Sequence, residues 1–200
     1  MQECLILRMN YLAHAYLSFK HPNLLVGNMI SDFVKGKKKF DYPSGIQKGI
    51  SLHRAIDDFT DNHVATKEMK QVFKSAYGLY SGAFADVVYD HFLANDNLLF
   101  KEETLFDFSQ WVYNTLETDI SVCPPEFQHM FPYMKLHNWL YNYRLRDGIC
   151  RSFNGLVRRA KYMDEGDTAF ALFEQHYELL QQCYRDFFPE IEKFAKQSLQ

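Results

Sequence analysis

Apolar side chains recur at intervals of three and four residues over nearly the whole chain. This spacing matches the α-helical turn of about 3.6 residues, so one side of each segment can face a common core. Runs of alternating Val, Ile and Thr, which are typical of strands, are few. The sequence therefore predicts an all-α fold, a single-domain helical bundle.

Helix boundaries follow from this periodicity together with proline and glycine. Pro22 and Pro43 stand where a proline in the first turn is tolerated, and Gly36, Gly78 and Gly166 mark helix ends. The last helix should be interrupted near Pro189. The predicted helices are 10–19, 22–35, 43–62, 64–75, 80–97, 102–121, 124–147 with a break, 148–163 and 167–197.

Length and composition limit the class of protein. Two hundred residues, 47% of them hydrophobic, suffice for one buried core, and we expect one domain over residues 9–200. Residues 1–8 precede the patterned sequence and are interpreted as a short arm or a mis-called start, with Met9 as the alternative start. The sequence leaves the oligomeric state open.

Charge, hydropathy and cysteine spacing argue against nucleic-acid binding, a membrane span and a cysteine metal site. The formal net charge of -3 does not indicate nucleic-acid binding. No apolar stretch reaches the roughly 18–20 residues that span a bilayer, and no secretory leader is evident. The four cysteines lack metal-site spacing and are expected to be reduced. We therefore expect a cytoplasmic protein that binds neither nucleic acid nor membrane.

The strongest chemical signal is a stripe of one histidine and two carboxylates. His53, Asp57 and Asp61 recur every four residues, so they lie along one side of a helix. A divalent cation between helices is one good reason to gather them. In the alternative, Arg54 and Asp58 form an ion pair while His53 and Asp57 merely share a hydrogen bond.

Three further clusters are candidates for the same site. Asn28 and Asp32 share the polar side of an apolar helix, or else form a capping or solvent-facing pair. His14 lies on a short apolar helix and is either an additional ligand or a satisfied core residue. Asp90 and His91 are about 100° apart and can flank a groove, or else form a buried hydrogen bond. Carboxylates with imidazole favour Mn, Mg, Fe or Zn over a soft thiolate site.

The cations divide into one candidate phosphate ligand and a basic turn. Arg54 stands inside the acidic segment, where its guanidinium could hold a phosphate with two hydrogen bonds. Lys37, Lys38 and Lys39 follow the helix that carries Asp32. We expect these lysines and Lys35, with help from Arg144 or Arg146, to form a cationic rim that binds an acidic partner; a solvated turn is the alternative.

Ordered motifs in the chain resemble the acyl carrier protein phosphodiesterase family, also called holo-acyl carrier protein hydrolases. The resemblance runs from Met9 to about Arg144. The motifs are Met9-Asn-Tyr-Leu-Ala-His14, Gly27-Asn-x-x-x-Asp-Phe-Val34, Gly49-Ile-x-x-His-Arg-x-Ile-Asp57 with Thr60-Asp61, Asp90-His-Phe-Leu93, and Trp139-Leu140 with Tyr143-Arg144.

The resemblance implies a helical fold related to the HD phosphohydrolases and Mn-dependent release of 4'-phosphopantetheine from holo-acyl carrier protein. Mg²⁺ and Fe²⁺ are alternative ions. The candidates that the resemblance implies are Asp32, His53, Asp57, Asp61, Asp90 and His91. Of these we predict Asp32, His53, Asp57, Asp90 and His91 as metal ligands and Asp61 as a catalytic residue, and we add Arg54 and Asn28 as catalytic candidates from the sequence itself. Asp61 would orient the attacking water. Two other functions stay open: hydrolysis of a nucleotide or other small phosphodiester, and a carrier-protein-binding module without turnover.

Overall fold

In the computed structural model, the residues that can be described are 10–100, 103–160 and 166–199. They contain eleven α-helices and no β-strand, which confirms the all-α prediction. The predicted N-terminal arm, residues 1–8, lies outside the described ranges. The helices are α1 (Tyr11–Tyr16), α2 (Pro22–Ile30), α3 (Ser44–Asn62), α4 (Val64–Tyr77), α5 (Ser81–Ala94), α6 (Leu105–Thr118), α7 (Pro125–Leu136), α8 (Trp139–Asn142), α9 (Arg146–Arg159), α10 (Asp167–Gln175) and α11 (Tyr177–Gln197).

Helix α5 lies at the centre of the bundle. Every residue from Ala83 to Ala94 is buried, because apolar side chains cover the whole circumference of this helix. Helices α1, α4, α9 and α11 pack against it. Asp90 and His91 are therefore held inside the core, where a polar side chain needs a hydrogen-bonding partner.

Helices α2 and α3 approach each other unusually closely at two glycines. A Cβ atom added to Gly27 would lie 2.8 Å from the Cα of Gly49 and closer still to the carbonyl oxygen of Ile46. A Cβ at Gly49 would lie 2.9 Å from the Cα of Gly27. Both obstacles are backbone atoms, which cannot rotate away. Only glycine at both positions allows this crossing, and the crossing brings the polar residues of α2 against those of α3.

Several predicted helix ends shift by a few residues, and two differences have a clear physical reason. The second predicted helix ends at Ile30 and continues as a single 3-10 turn, Ser31–Phe33. The C-terminal interruption lies at His176, which has φ −110° and ψ 19°, and not near Pro189. Helix α11 continues through Pro189 because Phe188 and Ile191, on either side of it, are buried in the core, and that packing outweighs the missing backbone hydrogen bond.

One apolar core extends from α1 to α11. The relation to the HD phosphohydrolase architecture remains a prediction. Among the described helices, none combines the length and the apolar character that crossing a bilayer would require.

Candidate metal centre

Two histidines and one aspartate converge between α1 and α3. His14 Nε2 lies 3.3 Å from Asp57 Oδ1, and His53 Nε2 lies 3.4 Å from Asp57 Oδ2. One ligand atom from each residue can be chosen so that all three lie within 4.8 Å of one another. The two imidazole rings stack with their centroids 3.9 Å apart. The described residues thus contain one compact group of nitrogen and oxygen donors suited to a divalent cation.

The side chain of Asn28 determines the tautomer of His14. Asn28 Nδ2 donates to the carbonyl oxygen of His14 at 2.9 Å and to the hydroxyl of Ser18 at 3.1 Å. These two donations identify the other amide atom, Oδ1, as an acceptor. Since Oδ1 lies 2.8 Å from His14 Nδ1, that nitrogen must carry the proton. In a neutral His14, Nε2 therefore presents a lone pair toward Asp57.

The backbone of Asn28 has the same effect on His53. His53 Nδ1 lies 2.7 Å from the carbonyl oxygen of Asn28 and donates to it. The other nitrogen, Nε2, faces Asp57 and, at 3.2 Å, Oδ1 of Asp32. The contact between His53 Nδ1 and the carbonyl oxygen of Asn28 follows directly from the Gly27–Gly49 crossing, because the crossing holds Asn28 against α3. Histidine ligands of metals commonly donate their second ring N–H to a carbonyl in this way.

The centre consequently presents acceptors on every side. When both histidines are neutral, their Nε2 lone pairs face the carboxylates of Asp32 and Asp57, and His14 Nε2 is buried without a hydrogen bond from the described residues. Such a cluster needs positive charge at its centre, either a proton or a metal ion. Two nitrogen and two carboxylate donors also suit Mn²⁺, Mg²⁺, Fe²⁺ or Zn²⁺, so the residues fit the ion that the sequence indicates.

The pKa values reflect this crowding. Burial lowers the pKa of His53, but hydrogen bonds with Asp32 and Asp57 outweigh it and raise the pKa to about 10. Burial and the neighbouring His53 lower the pKa of His14. Burial raises the pKa of Asp57, yet the close contacts with His14 and His53 outweigh it and hold the pKa well below its usual range. Asp57 is therefore ionised, and His53 is the residue that carries a proton when no other cation is present.

The centre is accessible from one side only. The side chains of His14 and His53 are 2% and 5% exposed, whereas those of Asp57 and Asp32 are 16% and 14% exposed. The carboxylates therefore line the opening and the histidines form the floor. A substrate would reach an ion held here from the side of Asp32 and Asp57.

Comparison with known proteins identifies the family of the chain. A sequence model of the family described as acyl carrier protein phosphodiesterase matches residues 9–191. The chain belongs to this family. Proteins named acyl carrier protein phosphodiesterase from Enterobacter sp. (strain 638) and Yersinia pestis are each 32% identical to it, and one from Klebsiella pneumoniae subsp. pneumoniae is 31% identical. Each alignment covers 94% of this chain and 98% of the relative. No solved structure shows significant similarity to the chain.

Membership in the acyl carrier protein phosphodiesterase family confirms the predicted enzyme class, a phosphodiester hydrolase. From the sequence, His14 was only an additional candidate ligand. In the structure it is one of the three residues of the compact donor group, with His53 and Asp57. Ser18 was not singled out at all, although its hydroxyl orients Asn28. The available signal was that a histidine and an asparagine occur on two otherwise apolar neighbouring helices.

Asp90 belongs to α5, and its side chain lies in the core against the first turn of α1. Its two oxygens accept the backbone N–H groups of Leu12 and Ala13 at 3.0 and 2.8 Å. Burial raises the pKa of Asp90, and these two hydrogen bonds lower it only in part. The carboxylate thus caps the first turn of the helix that carries His14. A metal-binding role for Asp90 stays a prediction; in the structure its oxygens are directed at backbone donors and not at the group of His14, His53 and Asp57.

We expect Asp90→Ala to destabilise the fold, because it leaves two buried N–H groups without acceptors. Each unpaired donor costs about 1–3 kcal/mol, so the free energy of unfolding in urea should fall by at least the lower figure. Asp186→Ala is the matched control, since Asp186 is exposed and contacts only Gln182 among the described residues. Wild-type stability in the Asp90 variant would contradict the capping role.

His91 and Asp61 are also separate from the centre. His91 Nδ1 donates to the carbonyl oxygen of Tyr143 at 2.8 Å, and Nε2 lies 3.1 Å from the hydroxyl of Tyr177. Asp61 is exposed and pairs with Lys70 at 2.7 Å. It shares the stripe of His53 but stands eight residues further, about 12 Å along the helix axis. Site roles for His91 and Asp61 stay predictions; in the structure their side chains are directed at other partners.

The predicted cations lie on the surface. Arg54 is exposed, and its Nη2 donates to the carbonyl oxygen of Val34 at 2.7 Å, which ties the segment after Asp32 to α3. Lys37 and Lys38 are exposed in the 3-10 helix Gly36–Asp41. Lys39 approaches the hydroxyl of Ser51 at 3.4 Å. The guanidinium of Arg144 stacks 4.2 Å above the ring of Tyr141.

Proposed function

We propose that this chain is a metal-dependent phosphodiesterase that releases 4'-phosphopantetheine from holo-acyl carrier protein and leaves the apo protein. The single observation that carries the proposal is the acceptor-only cluster of His14, His53, Asp57 and Asp32, in a chain whose relatives are named for this activity. The proposal includes Mn²⁺ as the ion, with Mg²⁺ and Fe²⁺ as alternatives, and a cytoplasmic location.

The ion would be held by His14, His53 and Asp57, with Asp32 beside it at the opening. When bound, it would act as a Lewis acid that lowers the pKa of water and neutralises phosphoryl charge. The residues of the chain supply the remaining functions. Asn28 fixes the direction of both histidine lone pairs and is a positioning residue.

Asp32 and Arg54 are the proposed groups that touch the substrate. The partly exposed Asp32 carboxylate can accept a proton from the attacking water; it replaces Asp61, which is directed at Lys70. Arg54 uses one N–H for Val34, so its other N–H groups can bind a non-bridging phosphate oxygen. Water then attacks phosphorus, and the serine oxygen of the carrier protein leaves as the hydroxyl.

The direct test is incubation of the purified protein with holo-acyl carrier protein and each of the three ions. Mass spectrometry should show apo carrier protein and free 4'-phosphopantetheine, with the strongest turnover in Mn²⁺. Parallel assays on nucleotides and small phosphodiesters test the competing hydrolase function. Turnover of these alone, or no turnover of any of them, would contradict the proposal.

Metal binding should release a proton, because His53 must lose the one it carries. Its pKa is raised from 6.5 to about 10, so at neutral pH the ion displaces about one proton. Titration calorimetry in two buffers with different ionisation enthalpies measures this number. A value near zero would mean that His53 is not a ligand.

The same pKa sets the stability of the metal-free protein. A raised histidine pKa stabilises the fold fully below the unfolded value of 6.5, and this contribution is lost as the pH rises through about 10. In the presence of a chelator, the stability of the wild-type protein should therefore fall over this range by more than that of His53→Gln.

The basic turn is the proposed docking surface for the acidic carrier protein. Replacing Lys37, Lys38 and Lys39 by Ser should lower kcat/KM for holo carrier protein on the order of tenfold at low salt, since three positive charges near the surface are lost. The loss should shrink as the Debye length falls from about 30 Å at 0.01 M salt to about 8 Å at 0.15 M.

A triple variant with the same change in charge is the control for this surface. Lys67, Lys74 and Lys193 are exposed on α4 and α11, and their replacement by Ser should leave kcat/KM nearly unchanged. Equal losses in the two triple variants would show that net charge, and not the basic turn, determines the rate. An equal loss on a small phosphodiester would show that docking is not involved.

A further inference from the structure

A cavity of about 620 Å³ lies between the α7–α8 turn and α9. Its size is in the range of small-ligand sites. Apolar walls and polar groups both contribute to it, so it suits a ligand with amide groups and hydrocarbon segments. The lining includes Leu136, Asn138, Trp139, Tyr143 and Ser152.

Asn138 supplies an unused acceptor to this cavity. Its side-chain Oδ1 is buried and has no hydrogen-bond partner among the described residues. The residue adopts a left-handed conformation with φ 43° and ψ 55°, which asparagine tolerates better than most side chains. A buried acceptor without a donor is uncommon, and a rotation of the Asn138 side chain would turn this one into the cavity that the residue lines.

Apolar side chains connect the metal centre with this cavity. Phe33, the neighbour of Asp32, contacts Phe127 of α7 with ring centroids 5.7 Å apart. One turn further along α7, Met130 accepts a hydrogen bond from the hydroxyl of Tyr11 at 3.3 Å. The ring of Tyr11 lies 6.5 Å from that of Trp139, which lines the cavity.

Three members of this connection remain accessible. Phe33, Met130 and Trp139 are half-buried, whereas Phe127 and Tyr11 are buried beneath them. Tyr11 also stands three residues before His14, on the same side of α1. The three half-buried side chains, here called the apolar strip, are joined through Phe127 and Tyr11 and lie between the residue beside Asp32 and the cavity lining.

We infer that the strip and the cavity bind the pantetheine arm of the substrate, with Asn138 Oδ1 accepting an amide N–H of the arm. This inference rests on the proposed function. The arm is linear and uncharged, carries two amides and a dimethyl branch, and is attached to the phosphate that would be held at the centre. Its hydrocarbon portions match the strip, and its amide donor matches the orphaned acceptor.

Two variants and their matched controls test the inference. Ser152→Phe fills the cavity, whereas Ser152→Ala keeps it open. Asn138→Gly removes the acceptor and retains the left-handed backbone, whereas Asn138→Asp keeps an oxygen at the same position. The probes are pantetheine itself, followed by ligand-observed NMR, and holo-acyl carrier protein, followed by KM and kcat. Thermal unfolding and the Kd for Mn²⁺ report on the fold and the metal centre.

The Ser152→Phe and Asn138→Gly variants should each raise KM for holo carrier protein about tenfold and weaken pantetheine binding. Their Kd for Mn²⁺ should remain within about twofold of wild type. The two controls should bind pantetheine like wild type. Unchanged KM and unchanged pantetheine binding in both cavity variants would overturn the inference while leaving the proposed function intact. Failure of the proposed function shows separately, as absence of holo carrier protein cleavage by the wild-type protein.

Discussion

Replacing Asp57 by Asn is expected to lower kcat/KM for holo-acyl carrier protein by at least about a hundredfold and to weaken Mn²⁺ binding in parallel. The two carboxylate oxygens of Asp57 approach His14 and His53 at 3.3 and 3.4 Å. The amide that replaces the carboxylate removes a negative charge and presents a donor to one of these contacts. Metal content by mass spectrometry and steady-state kinetics give the two readouts.

Asp58→Asn is the matched control for this change. Asp58 is adjacent in sequence, exposed, and contacts Asn62 on the surface of α3. Its replacement alters the net charge equally without touching the centre. Comparable activity losses in the two variants, or a normal metal content in Asp57→Asn, would contradict the proposed ligand set.

Gly49→Ala is expected to produce a large loss of stability for a single added methyl group. The new Cβ would lie 2.9 Å from the Cα of Gly27 and 3.0 Å from the backbone nitrogen of Asn28, so the two helices must separate. Such overpacking costs about 1–3 kcal/mol. Because Asn28 is displaced, the 2.7 Å contact between its carbonyl oxygen and His53 should also lengthen.

Urea unfolding measures the loss of stability in Gly49→Ala, and Mn²⁺ affinity measures the displacement of Asn28 from His53. Gly82→Ala is the control, since its added Cβ would meet only the end of the Lys70 side chain, at 3.3 Å. That change lies in the first turn of α5, where alanine is the better helix former, so stability should be kept or slightly increased. Equal stability in the Gly49 and Gly82 variants would show that the α2–α3 crossing is not tight in solution.

The proposed centre depends on supports that do not bind the ion. Asn28 holds both histidines through its side chain and its backbone, and Asp90 holds the start of the helix that carries His14. Mutations of such residues can reduce activity as strongly as mutations of ligands. Loss of turnover alone therefore cannot assign a ligand in this family, and metal affinity and stability must be measured together.

Local features could be predicted from the sequence because they depend on neighbours along the chain. Periodic apolar residues determine the all-α class, and the four-residue spacing of His53 and Asp57 places both on one side of α3 whatever surrounds it. The same spacing does not bring Asp61 to the centre. A shared side of the helix does not determine the distance between two side chains, and two further turns separate the Asp61 carboxylate from His53.

Tertiary structure alone decided which helix faces meet. The short α1, capped by Asp90, directs His14 into the centre, while Asp90 itself and His91 are used by backbone and aromatic partners. The Gly27–Gly49 crossing places the Asn28 carbonyl oxygen on His53. These contacts join residues 14 to 78 positions apart in sequence, and they depend on how whole helices pack. Residue spacing along one helix cannot determine that packing, because it results from the shape of every buried side chain at once.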